Sequence, residues 1–147
     1  MMFTRSFIIS WIISSVFMFG LSYGWHGIFL NDLSTQNYPV GIYLFSSGIV
    51  YLIVGLVLTF IFSTQIVVQA LPNLFLRGLA CGATLGVVLY MFALVIGVSF
   101  TKTVTLTSIA VDIPWQVFEQ CIGGLIIATI FALIYEPIPF NRSEDNI

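Results

Sequence analysis

An all-α integral membrane four-helix bundle, running up-down-up-down with short loops, is the fold class this chain predicts, and three observations predict it. Hydrophobic residues make up 59% of the 147 residues and charged residues only 7%, whereas a water-soluble domain carries about a quarter charged residues. Four Lys or Arg and six Asp or Glu cannot clothe a surface against water, so the surface faces lipid. The apolar residues fall into four runs, and each break between runs carries Pro, Asn or Asp. A helix needs about 20 apolar residues to cross the hydrocarbon core, and every run is long enough. Residues 1–147 read as a single membrane domain.

Span 1 covers residues 7–29. It follows Arg5 as a signal peptide would, but it exceeds the usual apolar region of about 7–15 residues and no Ala-x-Ala site follows, so it reads as a retained span. Loop 1, residues 31–40, is a polar turn containing Asp32 and Pro39. Span 2 covers 41–66, and Pro72 with Asn73 ends any extension of it. Span 3 covers 74–100. Loop 3 runs to Pro114, with Asp112 placed to cap span 4 and Pro114 in its first turn, where proline is tolerated. Span 4 covers 115–135, Pro137 and Pro139 stop it, and residues 137–147 form a polar C-terminal tail.

Short loops make sequence neighbours antiparallel. Arg5, Arg77 and Arg142 then fall on one side and Lys102 on the other. The positive-inside rule places both termini in the cytoplasm, and the expected location is a bacterial cytoplasmic, or inner, membrane. On that topology the Asn141-Arg142-Ser143 sequon goes unused. Trp25, Tyr38, Tyr43 and Trp115 belong to an outer aromatic belt, Tyr135 and Phe140 to an inner one.

Helices in lipid associate through close approach at small residues. Gly20 and Gly24 in span 1, Gly78, Gly82 and Gly86 in span 3, and Gly123 in span 4 are the candidate packing surfaces. They serve contacts within one bundle or between copies of the chain. Cys81 and Cys121 sit in separate apolar runs and read as buried, inert thiols.

The candidate chemistry lies in one polar cluster. His26, the single histidine, lies about one turn inside the outer end of span 1, on a face shared with Ser22, Phe19 and Ser15. Glu119 lies four residues after Trp115, about 6 Å inside the same boundary, with Gly123 one turn below it. Asp32 and Asp112 lie in the loops above, and Gln116 shares the Glu119 face. Three readings follow. His26 and Glu119, with Gln116, Gln120 or Ser22, hydrogen-bond and lock spans 1 and 4 together. Alternatively they relay protons or bind a cation, since an intramembrane carboxyl is a functional group by default. In the third, His26, Glu119 and Asp32 hold a metal, on weak spacing evidence.

Enzyme signatures are missing from the sequence: there is one histidine, no GxSxG and no HExxH. No lysine lies in a span for a Schiff base, and a bis-imidazole haem would need a histidine from another protomer. The expectation is a protein without catalytic residues, metal or cofactor. A net charge of −2 without a basic cluster argues against nucleic acid and against polybasic lipid binding. The expected partners are the lipid bilayer and a homo-oligomer or larger membrane complex. The Trp25-His26-Gly27 run, with Trp115-Gln116, Glu119-Gln120 and Gly123-Gly124 opening span 4, resembles small four-span membrane proteins of bacteria, a resemblance that implies no activity.

Overall fold

The computed structural model describes residues 4–30, 39–101 and 106–134. Loop 1 with Asp32 and Tyr38, Lys102, and the tail from residue 135 onward lie outside the described residues. Helix α1 covers Arg5–Ser22 and continues as a π-helix, Tyr23–Phe29. Helix α2 covers Val40–Ser63, a short α3 covers Gln65–Ala70, α4 covers Leu74–Thr101 and α5 covers Leu106–Leu133. Four segments, Arg5–Phe29, Val40–Ser63, Leu74–Ile96 and Ile109–Leu133, are long and apolar enough to cross a membrane. The protein is a four-helix membrane bundle, with no strand among the described residues.

Helices α1 and α4 start where a side chain satisfies free backbone N–H groups. Thr4 caps α1 by accepting from Phe7 N at 3.3 Å. Asn73 caps α4, its Oδ1 accepting from Phe75 N at 3.0 Å and Leu76 N at 3.1 Å. Replacing Asn73 by Ala removes both acceptors, and the expected cost is about 1 kcal/mol, read as a lower midpoint of unfolding in detergent micelles. An unchanged midpoint would mean that lipid or water satisfies this helix end.

Span 2 is shorter than the sequence suggests. It ends at Ser63, Thr64 turns the chain into extended backbone (φ −67°, ψ 140°), and α3 follows as a separate helix. Span 4 differs more. Its helix begins at Leu106, so Pro114 is interior and Asp112 is no N-cap. Proline in a soluble helix marks a boundary, but membrane helices tolerate it where neighbours re-satisfy the freed carbonyl.

Helix α1 packs between α2 and α5, and α5 packs most closely against α4. At one end of the bundle Ser6 Oγ donates to the Ile134 carbonyl at 3.4 Å. At the other, the Trp25 and Trp115 rings stack at 4.1 Å. These two contacts make α1 and α5 antiparallel. The buried face of α1 is Ser6, Ser10, Ser14, Met18 and Ser22, one residue every four. Small side chains at that spacing let helices approach closely. Ser14 and Ser15 return their hydroxyls to the Trp11 carbonyl at 3.1 and 2.7 Å, so these two need no partner on another helix, while the buried Ser10 hydroxyl makes no hydrogen bond.

Glycines do the same for α4 and α5. A Cβ on Gly78 would strike the Gly124 carbonyl, one on Gly82 the Gln120 carbonyl, and one on Gly86 would lie 2.9 Å from Val117 Cα. Gly123 faces the opposite way, onto Met18 of α1. The tandem Gly123-Gly124 thus seats α5 against two helices at once. Gly20 and Gly24 depart from the packing expected of them: a Cβ at either would meet nothing within 4 Å. The serine stripe takes the buried face of α1 and leaves these glycines off it.

Candidate functional site: a polar cluster inside the bundle

The span of α5 begins at Ile109, ten residues before Glu119. That places Glu119 about 15 Å into the bilayer by helical rise, near the middle of its span and deeper than a span starting at residue 115 implies. It is 1% exposed, and Gln120 beside it is 0% exposed. Tyr51 lies eleven residues after Val40, the start of α2, hence about 16 Å deep. The two groups meet at matched depth.

The Tyr51 hydroxyl lies within hydrogen-bonding reach of the Glu119 carboxyl and of Ser22. Gln120 Nε2 donates to Glu119 Oε1 at 3.4 Å. Ser22 belongs to α1, Tyr51 to α2, and Glu119 and Gln120 to α5, so a single hydrogen-bonded cluster ties three helices. The Trp115 indole lies beside the carboxyl, but its Nε1 makes no well-formed hydrogen bond among the described residues. The Gln120 Oε1 is likewise buried without a partner.

Above this cluster the π-helix changes the register of α1. Its hydrogen bonds run to the fifth residue, as from Leu30 N to the Trp25 carbonyl at 2.9 Å. Such turns are rare and recur at functional sites. Here it sets Trp25 face to face with Trp115, with Phe29 stacked on the far side of Trp25 at 5.5 Å. Trp115 precedes Glu119 by one helical turn, so the stacked pair closes the cluster on its outer side.

His26 lines a narrow cleft with Ser22, Tyr23, Tyr43, Ser47 and Tyr51. Its accessible volume is about 10 Å³, close to the space one water molecule occupies. His26 and Tyr51 therefore line one cleft, and Tyr51 also lies against Glu119. Asp112 sits elsewhere. It is half-buried within α5, two turns before Glu119, and interacts electrostatically with Tyr90 of α4. The Gln116 carbonyl lies against Gly86 of α4. Asp32 lies outside the described residues. Among the described residues no three His, Cys, Asp or Glu side chains come together as a metal ion would need.

Below the cluster the interior is filled. Met18, Leu58, Ile127 and Phe62 are buried there, and Thr59 donates to the Gly55 carbonyl at 2.8 Å. Tyr51 is the member of the polar cluster that sequence reasoning missed. Its signal was available, because a tyrosine at mid-span cannot belong to an interfacial belt and its hydroxyl needs a buried partner. No protein-family profile, curated protein or solved structure matches the chain.

Proposed function

We propose that the protein is a non-enzymatic structural or accessory subunit of a membrane assembly. One observation carries this reading. The interior polar groups Ser22, Tyr51 and Glu119 meet across three helices, Gln120 braces Glu119 within α5, and Met18, Leu58, Ile127 and Phe62 close the space beneath them. A bundle so tied offers a fixed surface to a partner rather than a path through itself. We place it in a bacterial cytoplasmic membrane with both termini in the cytoplasm. Arg5 and Arg77 support this, since they belong to the same end of the bundle: Ser6 meets Ile134 there and Arg77 lies on Phe62, near the end of α2.

A second reading is a small proton- or cation-linked transporter, supported by the mid-span depth of Glu119. A carboxyl there costs several kcal/mol if it serves no purpose. The His26-lined cleft and the Tyr51 hydroxyl would form the outer half of its relay. Gentle detergent extraction followed by native mass spectrometry separates the two. Co-purification with a heterologous membrane partner is the result expected of the accessory subunit. A symmetric homo-oligomer whose liposomes dissipate a pH gradient, with the leak abolished in Glu119→Gln, overturns it in favour of transport.

A further inference from the structure

Arg77 is 6% exposed, although its place in the first turn of span 3 suggests a cation facing the interface. Its guanidinium lies 4.4 Å above the Phe62 ring. The Nε is buried and makes no hydrogen bond, and no acidic side chain pairs with the group among the described residues. A ring face offsets part of the desolvation of a guanidinium but supplies no acceptor for its N–H groups. The first-turn amides of α4 are already taken by Asn73, so the unmet demand is the side chain's own.

Depth decides what can meet that demand. Arg77 is three residues after Leu74, the first residue of its span, hence about 4.5 Å into it. An arginine side chain reaches that far back toward the interface. The anion available there in every bilayer is the lipid phosphodiester, whose paired oxygens match the guanidinium fork. The recognition is that of one oriented fork, not of a basic cluster.

We propose that Arg77 is a lipid-headgroup site: it holds the phosphate of one phospholipid in the leaflet on the side where α1 begins, with Phe62 as the platform beneath the guanidinium. The site is independent of the polar cluster around Glu119 and of the function assigned to it.

Native mass spectrometry of the full chain in neutral detergent tests this with three additives. These are phosphatidylglycerol, a galactosyl diacylglycerol with the same acyl chains but no phosphate, and inorganic phosphate. The wild-type protein should bind the phospholipid about tenfold or more tightly than the galactolipid, the equivalent of one or two charge-assisted bonds. Arg77→Gln should erase that preference, and Arg77→Lys should keep part of it. The wild-type comparison needs no variant, so equal binding of the two lipids overturns the proposal even if Arg77→Gln does not fold. Inorganic phosphate that displaces the phospholipid at equal concentration also overturns it, assigning the site to free phosphate. A preference that is absent from the wild type and appears only in Glu136→Gln also overturns it, since a carboxylate of the chain itself would then be the partner of Arg77.

Discussion

Gly124→Ala destabilises the bundle by about 2 kcal/mol or more, at the upper part of the range for overpacked interiors, whereas Gly123→Ala leaves it within about 1 kcal/mol of wild type. The two residues are adjacent, and intrinsic helix propensity favours alanine by about 1 kcal/mol at both. Their neighbours differ. The new Cβ at position 124 lands on the Gly78 carbonyl, with Gly78 Cα at 3.3 Å. That is backbone on the facing helix, and it cannot turn aside, so α4 and α5 must separate along the Gly78, Gly82 and Gly86 seam. The new Cβ at position 123 meets the Met18 side chain, which has three rotatable bonds and adapts to irregular space. Gly20→Ala completes the series: nothing lies within 4 Å of its Cβ, so the propensity term is unopposed and the variant is stabilised by up to about 1 kcal/mol. Equilibrium unfolding in mixed micelles measures all three. If Gly124→Ala behaves like Gly20→Ala, the close approach of α4 and α5 is wrong.

Those same residues show how much the sequence discloses. The four spans are legible because lipid leaves few alternatives to a long apolar helix. The α4 glycine seam is legible because glycine at every fourth position is a packing signal. The α1 seam is not, since Ser6, Ser10 and Ser14 count as polar although they pack as small residues, Ser14 returning its hydroxyl to its own helix and Ser6 giving its to the Ile134 carbonyl. With that face taken, Gly20 and Gly24 had no contact left to make inside the bundle. Pro114 and Asp112 read as a helix start because that is their usual meaning where water competes for backbone groups. Moving the start back to Leu106 carries Glu119 from near the boundary to mid-span. The π-helix has no sequence period of its own to announce it: a hydrogen bond to the fifth residue changes the register of Trp25 without changing composition. The candidate site was therefore half visible. Glu119 and His26 stand out as rare ionisable groups, while Tyr51, which joins the carboxyl to the histidine cleft, hides among six tyrosines.

Glu119→Ala should cost about 2–3 kcal/mol, and Glu119→Gln close to nothing. Bonds between membrane helices contribute on average only about 0.6 kcal/mol and at most about 1.7, so losing the Tyr51 contact alone, as in Tyr51→Phe, costs about 1 kcal/mol. Alanine at 119 does more. It strips the acceptor from both Tyr51 and Gln120 and opens a cavity at a site that is 1% exposed, and cavity and unsatisfied donors add to the lost bond. Glutamine keeps the volume and an oxygen for the Tyr51 hydroxyl. Its amide also brings a donor next to Gln120 Oε1, which has none. The ordering Gln, then Phe at 51, then Ala is therefore a fingerprint of a cluster that ties α1, α2 and α5 by hydrogen bonds. Unfolding midpoints of the three variants in the same micelles give it directly. If Glu119→Gln is as damaging as Glu119→Ala, the carboxyl is bound to something an amide cannot replace, and the polar lock is not what holds Glu119 in the interior.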